Sequence, residues 1–183
     1  DEGRFDEAIA VIVATAQALH APRTAARPQG LVPLERWFAD LATAAERDGG
    51  MLRSCAEAAA RVLAEPGERV VLHGDLHHEN ILDFGPRGWR AIDPKAVEGD
   101  RCFDYVHLFF DPDDAQVPDL DAILHQLALT ARLAGIDPDR LRTWLLAWAG
   151  LSAVWWLEHG ESAERALTVA SMLAPTVSED SRA

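Results

Sequence analysis

Residues 71–93 read VLHGDLHHENILDFGPRGWRAID, and this stretch decides how the chain is expected to fold. Its β-forming residues fall into short runs at 70–72, 81–84 and 89–92, which have the length and composition of strands. The Gly-Pro-Arg-Gly sequence at 85–88 contains the turn residues that connect two antiparallel strands. The stretch therefore predicts a small β element that includes a hairpin.

Apolar residues recur at helical spacing on both sides of this β element. The predicted helices cover residues 5–20, 34–48, 51–63, 103–110, 119–134, 138–160 and 161–173. The segment 143–157 has no charged residue and contains four tryptophans, but it is shorter than the ~20 residues that span a bilayer. We therefore expect a buried core helix there, and an α+β fold that is mostly helical and carries its site on the β loops.

The composition indicates one domain with a substantial core, because the chain has 183 residues. Its 17 basic and 30 acidic residues give a net charge of −13, which disfavours nucleic acid and anionic membranes and favours small cationic ligands. Cys55 and Cys102 lie far apart and are interpreted as buried free thiols of a reducing compartment. With no signal peptide at the N-terminus, these features predict a cytoplasmic protein.

Three polar residues of the central stretch have the spacing of a phosphoryl-transfer site. Two residues separate Asp75 from the first strand, and a carboxylate there can accept the proton of an attacking hydroxyl. Asn80 lies five residues later, and the hairpin would return Asp93 to its side. An amide and a carboxylate oxygen suit Mg²⁺, because phosphates and water can supply its remaining ligands. The trio predicts positioning and charge neutralisation around a transferred phosphoryl group.

The sequence resembles a known family at these residues. The segments HGDLHHEN at 73–80, IDPK at 92–95 and GDRCFD at 99–104 resemble the aminoglycoside phosphotransferase family, and more narrowly its streptomycin 6-kinase and hydroxyurea kinase branch. The resemblance implies the C-terminal lobe of a protein-kinase-like fold across residues 1–183, with the hairpin carrying the catalytic and metal loops. No G-x-G-x-x-G is present, and the single lysine, Lys95, follows the catalytic loop. The N-terminal nucleotide lobe is therefore expected to be absent from this chain.

The resemblance also assigns roles to individual residues. Asp75 is expected to be the catalytic base, with Mg²⁺ on Asn80 and Asp93 and with ATP as co-substrate. Supporting roles are implied for His73, Asp100 and Asp104. Lys95 either contacts phosphate or forms a surface ion pair. The residues interpreted as a possible lining of the substrate cleft, or else as core tryptophans and solvated acids, are Asp111, Trp155, Trp156 and Glu158.

The predicted function is transfer of the ATP γ-phosphoryl group to a hydroxyl of a streptomycin-like aminocyclitol, which would inactivate the antibiotic. The isolated chain is expected to be inactive if the nucleotide lobe is missing. Two alternatives are a lobe that binds a cationic ligand or a partner without turnover, and a related kinase for hydroxyurea or another small hydroxyl compound. A third is a metal-dependent hydrolase built from His73, His77, His78 and Asp93.

Overall fold

The computed structural model describes residues 2–65, 67–110 and 119–174, and it has the expected α+β character with helices predominating. The helices are α1 (Glu2–His20), α2 (Leu34–Trp37), α3 (Ala39–Asp48), α4 (Gly50–Ala64), α5 (Leu120–Ala134), α6 (Pro138–Glu158) and α7 (Glu164–Leu173). The strands are β1 (Val32–Pro33), β2 (Arg69–Leu72), β3 (Ile81–Asp83), β4 (Trp89–Ala91) and β5 (Val97–Asp100). Three 3₁₀ helices cover His78–Asn80, Gly85–Arg87 and Arg101–Phe109.

The hairpin predicted through residues 85–88 is present. Strands β3 and β4 pair antiparallel, with Ile81 opposite Ala91 and Asp83 opposite Trp89. The Asp83 carboxylate accepts a hydrogen bond from the Gly85 backbone N–H, which stabilises the start of the turn. Beyond the strands, the backbone N–H of residue 92 donates to the carbonyl of residue 80 at 2.9 Å. The hairpin therefore returns the chain to residue 80, as the spacing predicted.

A second sheet was only partly predicted. Its order is β1-β5-β2, in which β5 pairs parallel with β1 and antiparallel with β2. Strand β2 was expected from its β-branched residues, whereas β5 has the sequence VEGD and lacks a strand composition. The close packing of Gly99 explains this choice of residue, since a Cβ there would collide with the Leu34 side chain. Tertiary contact rather than local propensity thus makes β5 a strand.

Helix ends follow the sequence signals closely. Asp119 and Asp137 each accept a backbone N–H of the following helix, and Pro138 takes the first position of α6. Gly135 ends α5 in the left-handed conformation with φ 61°.

Two helices differ from their predicted bounds. The predicted helix over 34–48 is divided at Phe38 into α2 and α3. The last helix begins at Glu164 rather than at 161.

The core is centred on α6, as its uncharged sequence predicted. Residues 144–154 of this helix are buried, and Trp144 is fully enclosed. Gly150 lets α4 approach closely, because a Cβ at that position would clash with Cys55. Trp155 is half-buried and Trp156 exposed, which gives the helix an aromatic edge at its C-terminal end. Among the described residues, no helix is both long and apolar enough to cross a membrane.

Both cysteines are free and buried, which confirms the sequence interpretation. Burial raises the pKa of each thiol to about 12, so neither is a reactive thiolate at neutral pH.

Candidate active site

The loop of residues 73–80, called the catalytic loop after the role that the resemblance implies, is held in place by one buried carboxylate, that of Asp104. Its two oxygens accept the backbone N–H groups of His73 at 2.9 Å and Gly74 at 2.8 Å. His20, the last residue of α1, adds a third hydrogen bond through Nε2 at 2.7 Å. Three donors satisfy a carboxylate that has no exposed side-chain area. Asp104 therefore anchors the loop through its backbone.

His73 shapes the same loop through both ring nitrogens. Its Nδ1 accepts the backbone N–H of Asp75 at 3.3 Å, so Nε2 carries the proton and donates to the carbonyl of Ile92 at 2.7 Å. Its own carbonyl accepts the backbone N–H of Lys95 at 2.8 Å. His73 thus joins the loop after β2 to the chain that leaves β4.

Gly74 is required in this loop by its conformation and by its surroundings. Its φ is +82°, and a Cβ would meet Val97 at 3.1 Å and Lys95 at 3.3 Å. The loop therefore turns sharply and packs directly on the segment that follows Asp93.

The two carboxylate oxygens of Asp75 have different surroundings. Its Oδ2 lies 3.4 Å from the Asn80 amide nitrogen and 3.3 Å from the Lys95 ammonium. Its Oδ1 faces His77 and His107 at 3.7 and 3.8 Å, distances too long for hydrogen bonds. One oxygen is therefore held by the loop, while the other keeps a lone pair available to a ligand.

Asn80 and Asp93 are both linked to the held oxygen of Asp75, Asn80 through its amide nitrogen and Asp93 through the Lys95 ammonium. The Asn80 amide nitrogen donates to the Asp75 carbonyl and to His77 Nε2, both at 2.9 Å, so its oxygen is directed elsewhere. Asp93 has φ 58°, a left-handed conformation that aspartate tolerates, and its side chain is 68% exposed. The Lys95 ammonium, 2.6 Å from Asp93, lowers the pKa of that carboxyl.

These donors fit a divalent cation. Lys95 Nζ bridges Asp93 and Asp75 at 2.6 and 3.3 Å, so a positive charge already lies between the two carboxylates. The hard oxygens of Asp93 and Asn80 are the ligand types that Mg²⁺ prefers. Lys95 therefore forms an ion pair, which is one of the two roles that the sequence left open for it. Its ammonium lies between the Asp93 and Asp75 carboxylates, where a bound cation would also be expected.

A large cavity opens beside the free oxygen of Asp75. Its volume is about 940 Å³, which is the size of a site for a drug-sized ligand. The catalytic loop supplies one wall, including Glu79, and His107 and Phe110 supply another. The wall from α6, the segment after it and the start of α7 contains Trp148, Ser152, Trp155, Trp156, His159, Glu161, Ser162 and Arg165.

The remaining predicted residues are distributed unevenly around this cavity. Trp155 and Trp156 line it, although the Trp155 indole N–H is bonded to Asp40 at 3.3 Å. Glu158 is exposed near the charge of Arg47 and is not part of the described lining. Asp111 lies outside the described residues. The structure thus brings two of the four predicted cleft residues to the cavity.

Asp100 has a structural position away from the loop. It caps the 3₁₀ helix by accepting the Cys102 N–H at 2.9 Å, and it also bonds the Trp144 indole at 3.1 Å and the Arg140 guanidinium. Its contacts therefore tie the start of the 3₁₀ helix to α6, so any support that it gives to the loop is indirect.

The proposed hydrolase site does not assemble. No cluster of three or more metal-ligating His, Cys, Asp or Glu side chains exists among the described residues. His73 uses both nitrogens inside the fold, and His77 Nε2 accepts the Asn80 amide N–H. His73 and His77 are thus parts of the scaffold of this loop.

A family model described as aminoglycoside/hydroxyurea antibiotic resistance kinase matches residues 1–160. The chain belongs to this family. The match covers every element from α1 to α6 and includes the whole catalytic loop.

Individual members of this antibiotic resistance kinase family are also similar to the chain. Streptomycin 3''-kinase of Klebsiella pneumoniae is 44% identical over 163 residues, which is 86% of this chain and 60% of the relative. Hydroxyurea phosphotransferase of Kitasatospora aureofaciens is 38% identical over 73% of this chain and 37% of its own length. Streptomycin 6-kinase of Streptomyces glaucescens is 32% identical over 78% of this chain and 47% of its own length. The chain thus spans between about a third and three fifths of these relatives.

The sequence patterns did not identify two residues of the site, His20 and His107. His20 lies 84 residues before its partner Asp104, so no local spacing connects them. His107 follows Asp104 by three residues, the repeat of a 3₁₀ helix, so the two side chains share one face. In the α-helix expected over 103–110, with about 3.6 residues per turn, the side chains of Asp104 and His107 would have been aligned less closely.

Proposed function

We propose that this chain provides the base, the metal ligands and the acceptor cavity of an ATP- and Mg²⁺-dependent O-phosphotransferase. Its acceptor would be a hydroxyl of a streptomycin-like aminocyclitol, and phosphorylation would inactivate the antibiotic. The observation that carries this proposal is the Asp75 carboxylate, with one oxygen held by the loop and the other open to a cavity of about 940 Å³. The family membership and the streptomycin kinases among the relatives support it.

The proposed reaction uses Asp75 as the general base. The acceptor hydroxyl donates its proton to Oδ1 while its oxygen forms the new bond to the γ-phosphorus of ATP. The bond between that phosphorus and the β,γ-bridging oxygen breaks, and ADP leaves with the electron pair. The proton on Asp75 passes to solvent after product release, since the side chain is 33% exposed.

Asn80 and Asp93 would hold Mg²⁺ against the phosphates of ATP. The bound ion supplies charge neutralisation for the transferred group. Lys95 lies on two carboxylates of the same site, so in this proposal it moves from Asp93 to a phosphate oxygen when ATP and the ion bind. A cytoplasmic location, where ATP is abundant, fits this requirement.

The cavity favours a large cationic acceptor over a small neutral one. Three acidic residues of the lining, Asp75, Glu79 and Glu161, stand against one arginine, Arg165, and the whole chain carries −13. The rings of Trp155 and Trp156 can pack on sugar faces or on guanidinium groups. Hydroxyurea is the acceptor suggested by one relative, but it would fill only a small part of this volume. A streptomycin-like compound therefore fits better.

Replacement of the base tests the proposal. In the protein at its natural full length, Asp75→Asn should lower kcat for streptomycin phosphorylation by about 10²- to 10⁴-fold, because the amide cannot accept the proton. The matched control is Asp121→Asn, which removes an exposed carboxylate on α5 and should leave the rate within about twofold. Transfer is measured as the mass gain of the antibiotic by one phosphoryl group.

A loss smaller than tenfold in Asp75→Asn would contradict the assignment of the base. Absence of transfer by the natural full-length protein, together with binding of streptomycin, would favour the alternative of a lobe that binds without turnover. A parallel assay on residues 1–183 decides whether this chain alone is competent.

A further inference from the structure

Asp75 and His107 face each other at the floor of the cavity without touching. His107 Nδ1 lies 3.8 Å from Asp75 Oδ1, about one ångström beyond the length of a hydrogen bond. A hydroxyl oxygen placed beside this gap can be ~2.8 Å from both atoms, as donor to one and acceptor from the other. The gap therefore has the geometry of a two-point hydroxyl site.

The His107 ring is fixed in a single orientation by its neighbours. Its centroid lies 4.5 Å from the Trp148 ring and 5.4 Å from the edge-on ring of Phe103. The side chain is 6% exposed, and its Nε2 is buried with no hydrogen-bond partner among the described residues. The ring thus cannot turn freely, and only Nδ1 is directed toward Asp75.

Electrostatics places the ring proton on Nδ1. The Asp75 carboxylate attracts a proton to the nitrogen that faces it, whereas a proton on Nε2 would be a buried donor with no acceptor. Burial also lowers the pKa of His107 to about 4, so the ring is neutral at pH 7 and carries one proton only. Nδ1–H is therefore a neutral donor.

His77 is the other neighbour of Asp75 Oδ1, but it cannot take this role. Its Nε2 is 3.7 Å from the oxygen and is already the acceptor of the Asn80 amide N–H at 2.9 Å. A nitrogen that accepts a hydrogen bond has no proton to donate. His107 is thus the donor on this side of the cavity.

We infer that His107 is a second acceptor-binding residue, which donates Nδ1–H to the same hydroxyl oxygen whose proton goes to Asp75. This inference rests on the proposed function and adds a rule for the choice of acceptor group. A hydroxyl can donate to Asp75, accept from His107 and still use a lone pair for attack. A protonated amine has no lone pair, so it would meet the His107 N–H without an acceptor and leave it unpaired.

The rule matters for an aminocyclitol-like ligand, whose cationic groups would otherwise pair with Asp75 and block the base. His107 makes the binding of a hydroxyl at Asp75 more favourable than the binding of an ammonium group. The acidic residues at other places in the cavity can bind the cationic groups. The carboxylate of Glu161 is suited to that task, because it lies on the wall formed after α6.

Two variants distinguish the roles of the two ring nitrogens of His107. His107→Asn places an amide near the position of Nδ1, whereas His107→Gln places one near Nε2. With streptomycin as acceptor in the natural full-length protein, we expect His107→Gln to lower kcat/KM by about 10- to 100-fold and His107→Asn by less than about threefold. Thermal unfolding of both variants controls for packing loss. Equal losses in the two variants, or no loss in either, would overturn the inference.

A second measurement does not depend on turnover. Long-range ¹H–¹⁵N NMR of the chain at pH 7 reports which nitrogen of His107 carries the proton, with His107→Asn identifying the signal. We expect a protonated Nδ1 and a bare Nε2. The opposite tautomer would refute the inference even if streptomycin is phosphorylated, whereas the expected tautomer with no phosphorylation would count against the proposed function alone.

Discussion

At the level of single residues, Asp93 combines an unusual backbone with an exposed carboxylate. Its φ of 58° is left-handed, as is that of Ala96 at 54°, and such conformations in residues other than glycine are common near functional sites. Lys95, between these two residues, is bonded both to Asp93 and to Asp75. The Lys95 ammonium thus links the Asp93 carboxylate to the loop that carries Asp75, which is the place where the proposed metal ion would need it.

Removal of this charge should weaken magnesium binding. Asp93→Asn keeps a residue that tolerates the left-handed conformation, but it replaces a charged ligand by a neutral one. The Mg²⁺ concentration for half-maximal activity should rise by about tenfold or more. It is measured by titrating Mg²⁺ at saturating ATP.

The control for this titration is Asp83→Asn on the same hairpin. Its amide oxygen can still accept the Gly85 N–H, so the turn is preserved while one exposed charge is lost. An equal shift in Asp93→Asn and Asp83→Asn would indicate a general charge effect and would argue against Asp93 as a ligand.

At the level of elements, α1 is connected to the catalytic loop by a chain of two hydrogen-bonded side chains. His20 at the end of the helix bonds Asp104, and Asp104 bonds the backbone at His73 and Gly74. His20 and Asp104 are nearly or fully buried, so solvent cannot substitute for a lost partner. The end of α1 thus supports the position of Asp75 although it does not reach the cavity.

His20 is therefore predicted to be a positioning residue. His20→Ala should lower kcat by about tenfold with little change in the KM for the acceptor, because the loop loses its anchor while the cavity walls remain. His20→Gln keeps a donor near the Nε2 position and should recover most of the loss. The two variants are compared by steady-state kinetics at several acceptor concentrations. Failure of the Gln variant to exceed the Ala variant would contradict the hydrogen-bond explanation.

The sequence predicted the elements better than the contacts between them. Helix caps such as Asp119 and Asp137, the hairpin turn and the return of the chain to Asn80 depend on neighbours within a few residues, so pattern reasoning could find them. The parallel pairing of β1 with β5 joins residues that are 65 positions apart, at Val32 and Val97, and no local signal records it.

The same division applies to the site. Asp75, Asn80 and Asp93 lie on one loop and one hairpin, so their spacing was sufficient to predict that they meet. The cavity walls come from the 3₁₀ helix and from α6, and their positions depend on how these helices pack. The spacing therefore did not identify His107, and it placed Glu158 at the cleft although the observed lining does not include this residue. Trp155 was also expected there, and it does line the cavity.

At the level of the whole molecule, the buried His107 couples stability to pH. Desolvation lowers its pKa from the usual ~6.5 to about 4, although the carboxylates of Asp104 and Asp75 oppose the change. Between these pH values the unfolded chain binds a proton that the folded chain does not bind. The free energy of unfolding should therefore fall as the pH is lowered from 6.5 toward 4.

The free energy of unfolding should fall by about 3 kcal/mol between pH 6.5 and pH 4, because each unit of pKa difference contributes ~1.4 kcal/mol. It is measured by urea unfolding at several pH values, and the histidine contribution is isolated by the His107→Asn variant. The variant should lose less stability than the wild type over this range, since it has no group at 107 to titrate. Parallel curves for the two proteins would show that other groups cause the pH dependence.

Lys95 has a practical consequence, because it is the single lysine of the sequence. Its ammonium is 38% exposed and lies on the two carboxylates that define the site. An amine-selective reagent would therefore attach to this chain at one side chain only, apart from any free N-terminus. Its labelling rate is therefore a natural reporter of the site, because ions or phosphates that change the ion pairs of this ammonium should change how fast the reagent attaches.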